Sequence, residues 1–97
     1  MRYEIILAPE AAEDLGKLKA YVRATVRDAV EKYLRHEPSK TSKSRIKRLR
    51  GVRRPQYRSQ AGDIRVFYDV AEGAVEILAI VPKSQAASWL EAIGETE

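Results

Sequence analysis

The 97 residues are 44% hydrophobic and 33% charged, which describes one globular domain over 1–97 with a single modest core. There is no cysteine, which excludes disulfides and thiolate metal sites and fits a reducing cytoplasm. The net charge is +4 and the pI is near 9.5; no apolar run is long enough for a signal peptide or a bilayer span, so no membrane role is expected.

Arg2 to Leu7 reads as a first strand. Ala8-Pro9 then opens a helix, because proline suits the first helical position and Glu10, Glu13 and Asp14 suit the positive end of the helix dipole. Ala11, Ala12, Leu15 and Leu18 give it an apolar stripe. A second helix is predicted from about Lys19 to Arg35, with Val22, Val26, Ala29, Val30, Tyr33 and Leu34 on one face. Glu37-Pro38-Ser39 ends it. The two helices form a hairpin that covers one face of a sheet.

Lys40 to Arg54 has no clean period; Ile46 and Leu49 are expected to tuck under a short turn of helix that Gly51 ends. Tyr57 to Val81 reads as three consecutive antiparallel strands. In the middle one Ile64, Val66, Tyr68 and Val70 share a face, and Arg65, Phe67 and Asp69 share the other. Gly62-Asp63 and Ala71-Glu72-Gly73-Ala74 mark the turns. Alternation in the last strand puts Val75, Ile77, Ala79 and Val81 on one face. Its other face is also apolar in part, so the strand is expected to be central. Pro82-Lys83-Ser84 breaks the sheet, Ser84 is expected to cap a last short helix, and Gly94 stops it. The order is βααβββα, an α+β domain with an antiparallel sheet.

Nine of the eighteen Lys and Arg residues lie between Lys40 and Arg58, and no Asp or Glu occurs from Pro38 to Gly62. Such asymmetry points to a nucleic acid or an acidic partner. The single histidine, His36, closes a helix and lacks partners for a metal site. No Walker loop, nucleophile elbow or zinc motif is present, so neither a metal nor a cofactor is expected. Any catalysis must then rest on Arg, Lys and Tyr. That suits cleavage of RNA by its own 2′-hydroxyl, which needs a cation to stabilise the pentavalent phosphorane and groups to move two protons. Arg65, inside an apolar strand and near Arg58 by hairpin pairing, is the natural stabiliser.

Tyr57-Arg58, the run Gly62 to Val70, the run Val75 to Ile80 and Arg48-Leu49-Arg50-Gly51 together resemble the RelE/ParE toxin superfamily of type II toxin–antitoxin systems. The resemblance covers nearly the whole chain. It implies a microbial-RNase-like RelE fold: an antiparallel sheet flanked by an N-terminal helical hairpin and a short C-terminal helix. It also implies a metal-independent, ribosome-dependent mRNA endoribonuclease that inhibits translation. The catalytic positions fall on Arg65, Arg58 and Lys83. Lys43, Lys47, Arg48, Arg50, Arg53 and Arg54 would bind RNA and the ribosome, and Tyr57 and Trp89 would stack on bases. The implied partners are an acidic antitoxin encoded in an adjacent gene, the ribosome and mRNA. The antitoxin would lie across apolar positions expected to be exposed, such as Phe67 and Leu78. The sequence departs from the RelE pattern at Gln56, where a lysine is common, and at Lys83, where arginine is usual. Trp89 also cannot move a proton as tyrosine can. These departures leave open a ParE-like inhibitor of DNA gyrase and a non-toxic RNA- or protein-binding relative.

Overall fold

The computed structural model describes residues 2–96. In chain order they form β1 (Glu4–Leu7), α1 (Pro9–Lys17), α2 (Ala20–Ala29), β2 (Ile46–Arg48), β3 (Val52–Arg54), β4 (Tyr57–Ala61), β5 (Ile64–Ala71), β6 (Ala74–Pro82), α3 (Lys83–Ile93) and β7 (Glu95–Thr96). Proline begins α1 as expected. Beyond Ala29, α2 continues as a wider π-turn over Val30–Leu34. Val22, Val26, Val30 and Leu34 recur every four residues, a spacing that drifts around a 3.6-residue helix. The wider turn helps keep Val26, Val30 and Leu34 together in the core.

The main sheet has the order β1-β6-β5-β4-β2. β1 joins β6 in parallel, and the other pairings are antiparallel. β3 and β7 form a separate two-stranded ribbon. The α1–α2 hairpin covers one face, where Val26, Val30 and Leu34 meet Val66, Tyr68, Val75 and Ile77. α3 covers the other, where Trp89, Ala86 and Leu90 pack on Phe67, Ala79 and Val81. β6 is thus central and covered on both sides, as expected.

Four local expectations are corrected. Lys40 to Arg54 contains no helical turn; Ile46 is buried as expected, but it belongs to β2. A left-handed Gly51, φ 72°, turns the chain from there into β3. Second, the faces of β6 do not alternate throughout. Phe67 pairs with Ala79 and Tyr68 with Ile77, so Leu78 is an extra residue in a β-bulge. Val75 and Ile77 therefore face the helical hairpin while Ala79 and Val81 face α3. Third, α3 starts at Lys83, and Ser84 lies within its first turn rather than capping it. Finally, Phe67 is not an exposed docking position, because α3 buries it to 1% exposure.

Candidate anion-binding cleft

The cleft forms on the α3 face. Arg58 on β4 lies directly opposite Phe67 on β5, and Arg65 stands two residues before Phe67, so the two arginines share that face. Val81 pairs with Arg65, and the chain two residues later delivers Lys83 at the first position of α3. Arg58, Arg65 and Lys83 therefore line one cavity of about 340 Å³, whose apolar walls include Leu49, Phe67, Ala86 and Leu90. Hairpin pairing brings Arg58 and Arg65 together as expected, and the start of α3 adds Lys83, the third position the resemblance implies. The apolar walls were not anticipated. Leu49 is separated by one residue from Lys47 and shares its parity, the signal that would have found it.

The electrostatics of the cleft are unusual. Arg65 is buried to 6% exposure, yet its Nη1 donates only to carbonyls, of Gly62 at 2.9 Å and Ile64 at 3.3 Å. Arg58 Nε is buried and finds no acceptor among the described residues. Desolvation pushes the Arg58 pKa down, and the neighbouring Arg65 charge pushes it the same way. Among the described residues, no carboxylate comes within ion-pair distance of Arg58, Arg65 or Lys83. A buried guanidinium without a counter-charge is costly in a resting protein. An incoming phosphate, which meets the guanidinium fork with two parallel hydrogen bonds, would remove that cost.

The other expected contacts are dispersed. Arg53 pairs with Glu95 at 2.9 Å. Arg54 reaches Asp69 at 3.2 Å, Glu76 at 3.0 Å and Glu95 at 4.0 Å. Both arginines are engaged by carboxylates of the same chain. Tyr57 stacks on Tyr68, with centroids 5.5 Å apart, and the Arg48 guanidinium lies 5.2 Å above the Tyr57 ring. Tyr68 belongs to the core under the helical hairpin, so Tyr57 and Arg48 sit on the face opposite the cleft. Trp89 is on the cleft's face, but it stacks on Phe67 at 4.7 Å. Lys43 and Arg50 lie in exposed bends flanking β2, and Lys47 pairs across the sheet with Arg58. Gln56 is structural: its Oε1 accepts the Val70 N–H at 2.9 Å, extending the ladder beyond β4. Among the described residues no cluster of three His, Asp or Glu side chains is placed to hold a metal, and no helix is long and apolar enough to cross a membrane.

The family described as ParE toxin of type II toxin–antitoxin system, parDE, matches residues 5–87 of the chain. No curated protein matches it. Among solved structures the chain is similar to the archaeal RelE–RelB complex from Pyrococcus horikoshii, at 25% identity and TM-score 0.64, covering 88% of this chain and 99% of that one. It is also similar to the toxin–antitoxin complex RelBE2 from Mycobacterium tuberculosis, at 24% identity and TM-score 0.66, covering 84% and 92%. A third similarity is to the RelB–RelE antitoxin–toxin complex from Methanococcus jannaschii, at 17% identity and TM-score 0.67, covering 87% and 96%. The α+β architecture is that of RelE-like toxins.

Proposed function

The chain belongs to the ParE toxin family of type II toxin–antitoxin systems, and from that premise we propose that it is a metal-independent endoribonuclease that cuts ribosome-bound mRNA. The observation that carries this reading is the convergence of Arg58, Arg65 and Lys83 on one cleft without a carboxylate among its lining. In the reaction the ribose 2′-hydroxyl gives up its proton to water, its oxygen attacks the adjacent phosphorus, the bond to the 5′-oxygen breaks and that oxygen takes up a proton, so that a 2′,3′-cyclic phosphate and a 5′-hydroxyl result. Arg65, on the rigid central part of the sheet, stabilises the charge that grows on the phosphorane oxygens. Arg58 orients the phosphate, and Lys83 stabilises charge or donates a proton to the leaving oxygen. The cleft supplies charge but few groups that align a flexible strand. The ribosomal A site would supply the alignment, which explains dependence on the ribosome. Its phosphate walls also suit a protein with this many uncompensated cations. The partner that restrains the toxin is an acidic antitoxin from an adjacent gene, in keeping with the antitoxin complexes of the similar solved structures.

One observation favours a second reading, inhibition of DNA gyrase by protein contact. No histidine, tyrosine or carboxylate lines the cleft, so Lys83 is its one conventional proton carrier. Induced expression with pulse labelling separates the two. Early loss of protein synthesis, with primer-extension stops inside translated mRNA, is expected for the ribonuclease. Early DNA damage with intact mRNA would overturn that reading in favour of gyrase.

A further inference from the structure

The cleft opens onto three neighbouring regions of the sheet, and each has a different character. Beyond Val81 and Lys83, α3 packs over β6 and β5 and closes the way. Along β5 past Phe67, the same face carries Asp69, which pairs with Glu76 on β6. Both carboxylates are held by Arg54, so that end offers a phosphate no free cation. Across β4 lies β2, an edge strand of the sheet.

β2 turns one cation toward the cleft. Its register with β4 pairs Ile46 with Ser59, Lys47 with Arg58, and Arg48 with Tyr57. Ile46 is buried under the helical hairpin, and Arg48 lies over Tyr57 on that same side. Lys47 therefore faces the other way, as does Leu49, which packs on the Phe67 cluster beneath α3. Lys47 is exposed, and no carboxylate among the described residues pairs with it. Like charges directly opposite each other across two strands are destabilising. Here Lys47 opposes Arg58, whose pKa is lowered first by burial and then by the Arg65 charge. Three cations thus occupy three successive strands, each step about 4.8 Å wide.

We infer that single-stranded RNA crosses the sheet over Arg65, Arg58 and Lys47 in that order and leaves the protein over the β2 edge. This rests on the ribonuclease reading of the cleft. Lys47 holds a phosphate that flanks the scissile one, so it adds affinity and direction without touching the reacting atoms. Arg48, one residue away, takes no part, because it lies on the opposite face of the sheet.

The test is the salt dependence of binding between the purified chain and a 2′-O-methyl RNA oligonucleotide, which cannot be cleaved. Each phosphate contact on a single strand contributes about 0.7 to the log–log slope. Lys47→Gln should lower the slope by about that amount, Lys47→Arg should restore it, and Arg48→Gln should leave it unchanged. Melting curves of all three should match the parent. If the parent binds, Arg65→Ala weakens binding and Lys47→Gln leaves the slope intact, the path is wrong while the cleft stands. If Arg48→Gln flattens the slope instead, RNA runs over the other face and the path is equally wrong. If the parent binds no RNA, the path over the sheet is wrong, while ribosome-dependent cleavage stands or falls separately with the pulse-labelling result.

Discussion

The α3 face of the sheet has two ends built from the same residue type. At one end Arg54 sits among Asp69, Glu76 and Glu95, and Arg53 adds a second bond to Glu95. At the other, Arg58 and Arg65 stand together with Lys83 and have carbonyls or nothing for company. The stack of Trp89 on Phe67 lies between them. A guanidinium held by carboxylates is a clamp, here fastening β3 and β7 to the sheet. A guanidinium desolvated without one stores repulsion, which a phosphate can release. The same kind of side chain thus serves structure at one end and function at the other, according to where the carboxylates fall.

The largest effect is expected at the divider. Phe67→Ala removes a fully buried ring and the surface on which Trp89 rests, and should cost about 3–5 kcal/mol. Both ends should fail together, with melting temperature and growth arrest lost in parallel; a stable but inactive variant would mean that α3 is held without the stack.

A smaller effect is expected at the clamp. Arg54→Met leaves Asp69, which is only 16% exposed, without its cation. The pair lies between a surface bridge and a buried one, so a loss of about 1–2 kcal/mol is expected in chemical denaturation. High salt should narrow the difference from the parent, and toxicity should persist. A toxicity loss out of proportion to the stability loss would place Arg54 on the substrate side.

The smallest effect sharpens the contrast by showing what an exposed pair does far from either end. Arg35 donates two hydrogen bonds of 2.6 Å to the Glu31 carboxylate, one helical turn away. Those bonds, with the Arg35 charge, hold the Glu31 pKa below the usual carboxylate value. The sign follows: the stabilisation is present above the unfolded-state pKa and is lost as pH falls through the lowered folded-state value. Glu31→Gln should flatten the acid limb of the stability curve slightly and change nothing at neutral pH beyond a small shift in Tm. An equal acid limb in both proteins would remove the pair from the account.

Much of this layout was legible in the chain. Period-two alternation located β5 and its faces, and Gly62 and Gly73 both take the positive φ that their turns require. What alternation cannot show is an insertion. The Leu78 bulge switches the face of every β6 residue beyond it, so Ala79 and Val81 lie on the side opposite to the one that alternation predicts. β2 and β3 are three residues each, too short to carry a period. Asp14 looked like a favourable charge on the helix dipole, yet its Oδ2 accepts the Ile80 N–H at 3.0 Å, on an edge of β6 that β1 does not reach. The pairing of charges was the least visible feature. Arg53 finds Glu95 across 42 positions and Arg54 finds Glu76 across 22, so a run of cations that looks uniform in sequence is partly neutralised by distant strands. The cleft was found because Arg58 and Arg65 sit on one hairpin, where register follows from the turn.

The central claim is that Arg65 is kept for a phosphate at the expense of the fold, and one paired measurement tests it. Growth arrest and melting temperature are measured for Arg65→Met beside Arg54→Met. Removing an uncompensated buried charge should leave Arg65→Met as stable as the parent or up to about 1 kcal/mol more stable. Its toxicity should vanish, since losing one such donor costs on the order of 10²–10³ in rate. Arg54→Met should show the reverse, less stable and still toxic. Arg65→Met that melts early and stays toxic would contradict the account, because Arg65 would then be the clamp and the phosphate site would lie elsewhere.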